Sequence, residues 1–112
     1  MVLVPFRFAG QRGSKPRPAV ILSVNDYHDS RVDAVMMALT TQLENEYFGD
    51  CVLHDWAEAG LPSATKAKGV IQTIEQRSIR KRFGTLSPDD FQRVMGSVLQ
   101  IMGLVNVSEK QQ

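Results

Sequence analysis

The chain has one cysteine, Cys51, and two histidines, His28 and His54. A disulfide scaffold needs paired cysteines, and a cysteine-built metal site needs several thiolates, so both are excluded. Long apolar runs are missing too. The longest spans Ala34 to Leu39, far short of the about 20 residues that a membrane helix needs. The basic-then-apolar pattern of a secretory leader is absent, because Met1 leads straight into strand-like sequence. The expectation is a cytoplasmic protein with no membrane partner. Internal repeats, linkers and low-complexity stretches are also lacking.

What is present suits one globular unit. The 112 residues, 43% of them apolar and 22% charged, make a single domain, 1–112, with a polar tail at 108–112. The apolar share excludes a disordered chain. Net charge is only +1, but it is distributed in blocks. Arg7, Arg12, Lys15 and Arg17 precede any acid. Asp26 to Glu58 then holds eight acids against Arg31 alone, and Lys66 to Arg82 holds six bases against Glu75 alone. Such a chain can present a basic face to a polyanion, or the blocks can intermix in space and cancel.

Hydrophobic patterning gives the elements. Val2 to Phe6 reads as a first strand, and Gly10, Gly13, Ser14 and Pro16 mark a loop. Pro18 to Val24 is a strand that starts on a proline. Asn25 to Ser30 reads as a turn, and Val32 to Thr41 as a buried strand. Leu43 to Gly49 is an acidic loop. Cys51 to His54 and Ala64 to Ile71 are further strands, separated by a turn over Asp55 to Pro62. Thr73 to Lys81 has helical composition, and Phe83 to Leu86 is extended. Ser87-Pro88-Asp89-Asp90 announces a last helix: a serine cap, proline at the first position and acids against the dipole. Phe91, Val94, Met95, Val98, Leu99 and Met102 mark its apolar face, and Gly103 its end. The fold class is mainly β with helices (α+β), a small barrel or strongly curved sheet with a C-terminal helix.

Few residues suggest chemistry. Cys51 in a strand reads as a small buried hydrophobe. His28 and His54 lack ligand spacing. Asp55 and Glu58 read as a turn cap and a solvated acid. The glycines from Gly10 to Gly13 lack the phosphate-loop pattern and open no helix. The segment Gly13-Ser-Lys-Pro-Arg-Pro-Ala19 stands out. Arg17 lies between two prolines, which stiffen the backbone on both sides. A guanidinium on stiff backbone is a preorganised phosphate clamp, or else a surface arginine at a strand start. Ala38-Leu-Thr-Thr-Gln42 ends an apolar strand in three hydrogen-bonding side chains, which can line a site or begin a turn.

Val2-Leu-Val-Pro-Phe6, Gly13-Ser-Lys-Pro-Arg-Pro-Ala-Val-Ile-Leu-Ser23 and Leu39-Thr-Thr-Gln42, in that order, resemble the MazF/PemK toxin endoribonucleases of bacterial type II toxin–antitoxin pairs. Thr73-Ile-Glu-Gln, Gly84-Thr-Leu-Ser-Pro and a final helix ending in Gly103-Leu104 extend the resemblance over nearly the whole chain. Family members usually carry Gly-Asp before the first strand, where Met1 stands here. The stretch from Asp50 to Pro62 resembles a divergent branch. The resemblance implies an SH3-like β-barrel, a homodimer, an antitoxin partner and no cofactor or metal. It implies cleavage of single-stranded RNA by ribose 2′-hydroxyl attack on phosphate, with operator DNA as a further partner of the antitoxin complex. Arg17 matches the arginine of the Arg-Pro-Ala motif and Thr40 the threonine of the Thr-x-Gln motif. They are the implied catalytic pair, with Ser14, Lys15, Thr41 and Gln42 as RNA contacts. Alternatives of the same fold are a non-catalytic nucleic-acid or antitoxin-binding module, which a buried structural salt bridge at Arg17 would favour, and a gyrase-directed toxin acting through its C-terminal residues.

Overall fold

A computed structural model describes residues 1–104 of the protein. The tail expected at 108–112 lies outside the described residues. Strands β1 (Val2–Phe6), β2 (Lys15–Ile21), β3 (Asp33–Thr40), β4 (Cys51–Val52), β5 (Lys66–Glu75) and β6 (Lys81–Arg82) form one sheet, with helices α1 (Asn25–Ser30) and α2 (Pro88–Ile101). The strand order is β4-β5-β3-β2-β1-β6, and every neighbouring pair is antiparallel.

Alternation divides the apolar residues between two cores. Val20, Leu22, Met37, Leu39 and Ala67 pack with Val94 of α2 and with Leu53, Leu61 and Leu86 from the connections. Val2, Val4, Phe6, Ala19, Met36, Ala38 and Ile74 form a second cluster that contains no residue of α2. Those side chains are nevertheless sealed from water, so the sheet has to curl over its own face. Two links complete the curl. The Gln72 side-chain amide on β5 donates to the Arg7 carbonyl just beyond β1. The segment from η-turn Gln76–Ser78 to β6 then crosses from β5 to β1, with Ile79 packed on the second cluster. The edge strands β4 and β6 do not pair with each other. The barrel-like shape is therefore closed by side chains and a connection rather than by a strand ladder.

α2 starts as its sequence dictates. Ser87 Oγ accepts the Asp90 N–H at 3.1 Å and Pro88 occupies the first turn, a cap worth about 1 kcal/mol. Gly103 ends it at φ 71°, with the Leu104 N–H donating to the Leu99 carbonyl at 2.9 Å. Of the expected stripe, Phe91, Val94, Met95 and Val98 pack on the first cluster, and Ile101 joins them in place of Leu99 and Met102. Leu99 and Met102 are 41% and 56% exposed, while Asp90 and Ser97 face inward. Asp90 is buried because its carboxylate accepts the backbone N–H groups of His54 (3.1 Å) and Asp55 (2.8 Å) and pairs with Arg93 at 3.1 Å. β4 ends at Val52, short of the His54 expected: the Leu53 N–H still reaches the Thr65 carbonyl at 3.0 Å, but the His54 and Asp55 N–H groups turn to Asp90.

Three other expectations change. Asn25 to Ser30 is a short helix rather than a turn. β2 begins at Lys15, three residues before the expected start. The helical composition of Thr73 to Lys81 is overridden, because Ile74 continues the alternation of β5 and is buried on the second cluster. Gly84 keeps its left-handed φ of 58° for a packing reason: a Cβ there would lie 1.8 Å from the Ala59 carbonyl oxygen.

Burial alone would push the Asp90 carboxyl up, but the Asp55 and His54 N–H groups and Arg93 hold it below its ordinary 3.8. Its contribution to stability is therefore full above the unfolded value and is lost as pH falls through the lower folded value. Asp90→Ala should cost about 3 kcal/mol in urea unfolding at pH 7, since it removes the acceptor of two part-buried N–H groups and the partner of Arg93. The deficit relative to wild type should shrink as pH drops below about 4. An undiminished deficit at pH 2.5 would contradict this account.

Candidate functional site

The ladder between β2 and β3 stops early. Ala19, Val20 and Ile21 pair with Ala38, Met37 and Met36, and no pair precedes them. Continued in the same register, the ladder would place Arg17 opposite Thr40. Pro16 and Pro18 have no N–H to give. Two residues apart, they strip donors from one edge of β2. The pairing with β1 runs unbroken from Lys15 to Ala19, so the stripped edge is the one toward β3. The strands part there, and a cleft of about 530 Å³ opens between them.

Leu3, Leu39, Leu61 and Phe83 supply its apolar lining, and Arg17, Thr40, Thr41, Gln42, Thr65 and Lys68 its polar groups. No carboxylate lines it. Arg17 is held by its strand, by a hydrogen bond from a terminal nitrogen to Gln11 Oε1 (3.3 Å), and by Phe8, whose ring centroid lies 4.4 Å from the guanidinium carbon. The buried Arg17 Nε has no hydrogen-bond partner among the described residues. Thr40 Oγ1 accepts the Gln42 N–H at 3.1 Å, which leaves its own proton free to donate.

A second constraint fixes the other wall. Met37 pairs with Ile71 and Leu39 with Ala67, so Lys68, Gly69 and Val70 of β5 together oppose Ala38 alone. This bulge frees the Gly69 N–H, which donates to Asp50 Oδ1 at 2.8 Å. A side chain at Gly69 would meet the Phe48 carbonyl oxygen at 3.1 Å. The Asp50 Oδ2 contacts Lys66 Nζ at 2.7 Å, with both side chains under 10% exposed. Lys66 Nζ also donates to the Asn45 carbonyl. Lys66 is the rung opposite Thr40, so its side chain ties the loop that leaves Thr40 back to β5.

Across 1–102, the chain matches the model of the PemK-like, MazF-like toxins of type II toxin–antitoxin systems. The chain belongs to that family. No curated protein matches it in sequence. Among solved structures it is similar to the Mycobacterium tuberculosis toxin MazF-mt6, with a TM-score of 0.72 at 15% identity over 94% of this chain and 99% of that one. It is also similar to an endoribonuclease from a mycobacterial species in complex with its cognate antitoxin, with a TM-score of 0.71 at 16% identity over 93% and 92% of the two chains. A further mycobacterial endoribonuclease gives 0.67 at 17% identity over 80% and 82%. At such identities these likenesses establish the fold.

On that fold the structure gathers Arg17, Thr40, Thr41 and Gln42 around one cleft. Ser14 and Lys15 do not line it. Lys15 is exposed at the start of β2, opposite Phe6, and Ser14 is exposed in the preceding loop. His28 sits elsewhere, with its Nε2 2.6 Å from Ser23 Oγ, and Cys51 is buried in the core. Sequence reasoning missed Phe8 and Lys68. Phe8 continues the alternation of Val2, Val4 and Phe6, a signal that was available. The orientation of Lys68 depends on the bulge, which the sequence does not announce.

Asp50 is also drawn below its ordinary 3.8. Burial opposes ionisation, but Lys66 and the Gly69 N–H outweigh it. Asp50→Ala leaves Lys66 buried without its carboxylate and should cost about 3–5 kcal/mol in denaturant unfolding. Amide exchange should quicken at Gly69. A loss under about 1 kcal/mol would show that the pair carries no structural weight.

Proposed function

We propose that this cleft cleaves single-stranded RNA, with Arg17 and Thr40 acting on the reacting phosphate. The observation that carries the reading is an arginine without an ion pair among the described residues, set across an open rung from a threonine hydroxyl, in a cleft with no carboxylate. A structural arginine of a non-catalytic module would be expected to meet an acid. The ribose 2′-hydroxyl loses its proton as its oxygen attacks phosphorus, the bond to the 5′-oxygen breaks, that oxygen takes up a proton, and a cyclic phosphate and a free 5′-hydroxyl result. Charge gathers on the non-bridging oxygens. A guanidinium and a hydroxyl donor fixed beforehand stabilise it without a metal ion. Arg17 stays protonated and cannot serve as the base. Thr41 and Gln42 contact the flanking nucleotides from the same strand end.

The same reading includes an antitoxin and a second copy of the chain as partners, with operator DNA bound by the antitoxin complex, in the cytoplasm. Exposed Val24, Val32, Tyr47 and Phe48 are apolar surface available to protein partners. No helix among the described residues is long and apolar enough to cross a membrane.

Purified protein incubated with a long, diverse single-stranded RNA in EDTA should cut at a recurring short sequence, leaving 5′-hydroxyl ends. Arg17→Ala should lower kcat by about 100-fold or more. Thr40→Val should lower it about tenfold, the loss of one hydrogen bond to a charged oxygen. An intact RNA after incubation with folded wild type would overturn the ribonuclease reading. A fully active Arg17→Ala would overturn the assignment of Arg17.

A further inference from the structure

Lys68 belongs to none of the motifs that carry the family resemblance, yet it points into the cleft. Its Nζ lies 4.4 Å from the Phe8 ring centroid, the same distance as the Arg17 guanidinium carbon. One ring thus carries two cations, which stand at most twice that distance apart. Neither has an ion-pair partner among the described residues, and no lining residue is acidic. The ring faces attract each cation, but the two charges still repel across a partly desolvated space. Both are fixed in advance. Arg17 sits between prolines on a strand, and Lys68 sits on a bulge that the buried Asp50–Lys66 pair holds. The free protein therefore holds a repulsion that one anion relieves only in part.

We propose that Arg17, Phe8 and Lys68 form a two-phosphate clamp, in which Arg17 takes the reacting phosphate and Lys68 the next one along the strand. The proposal rests on the ribonuclease reading for which phosphate reacts, but the clamp itself concerns binding. Successive phosphates are one nucleotide apart, a spacing of the order that the shared ring imposes. Lys68 grips a phosphate that does not change during the reaction. It therefore contributes equally to the ground and transition states and acts on KM rather than kcat. Phe8 is the positioning residue for both cations.

The test uses 2′-deoxynucleoside 3′,5′-bisphosphates and 5′-monophosphates of all four bases, which lack the attacking hydroxyl and cannot be cleaved. In equilibrium titration, wild type should bind the bisphosphates about tenfold tighter than the monophosphates, the worth of one charge-assisted contact. Lys68→Gln should bring that preference below about twofold and reduce the salt slope by about one, whereas Lys68→Arg retains both. Lys68→Met keeps the apolar stem over Phe8 and replaces the glutamine variant if that one does not fold. Equal affinities in wild type, no binding of either ligand, or an unchanged preference in the folded variants would overturn the clamp. RNA cleavage by a wild type that lacks the bisphosphate preference would remove the clamp and leave the ribonuclease. The preference without any cleavage would leave the clamp and remove the ribonuclease. With RNA as substrate, Lys68→Gln should raise KM about tenfold at nearly unchanged kcat.

Discussion

The candidate site depends on two N–H groups that do not exist. A β-ladder extends as long as each rung can exchange its bonds, and nothing in Leu39 or Thr40 prevents extension. Pro16 and Pro18 prevent it, because both lack a donor on the edge of β2 that faces β3. The strands then separate at the rung that carries Arg17 and Thr40. A pairing failure of this kind places the two side chains across a gap, aligned by a register that continues only a few residues away. Prolines usually mark where a strand ends. Here they mark where a strand keeps one neighbour and releases the other.

Two buried carboxylates hold the walls of the gap in place. Asp90 gathers the backbone turn after β4 onto α2, and Asp50 gathers the loop after β3 onto the bulge of β5. Each accepts main-chain N–H groups that the sheet leaves unpaired, and each also meets one cation. A buried ion pair often contributes little net stability compared with an apolar pair of the same volume. Its effect here is geometric: it selects one register for a loop that has little apolar surface to select it by. The apolar cores secure the strands, and the carboxylates secure the connections that the cores do not reach.

The legible part of the fold was what local pattern controls. β1 and β3 show in their alternation and apolar runs, and α2 shows in its serine cap, proline and terminal glycine. The illegible part was where a long-range bond overrides local pattern. Thr73 to Lys81 has helix-forming composition, but Ile74 is claimed by the second core and Glu75 by pairing with Asp33. Leu99 and Met102 fit the periodicity but stand exposed, while Asp90, a charged residue, is buried because it binds two amides 35 residues and more upstream. The site divides in the same way. Arg17 between prolines and Thr40 at a strand end are local features. Phe8 and Lys68 meet only because the sheet curls and bulges, and both events depend on residues distant in sequence.

The charge blocks of the sequence resolve through this same architecture. Intermixing does occur: Asp50 takes Lys66, Asp90 takes Arg93, and the exposed pairs Asp33–Arg31 and Glu75–Arg77 take two more bases. Net charge near zero therefore says little about any one surface. What keeps the cleft positive is the exclusion of acids from its lining, and the loop after β3 has the closest opportunity to bring one in. Thr41 and Gln42 line the cleft, while Glu44 and Glu46 of the same loop are exposed and do not. The Asn45 carbonyl, between those two glutamates, is bound by Lys66. The buried lysine thus anchors the acidic part of the loop to the strand wall, away from the opening where Arg17 and Lys68 stand.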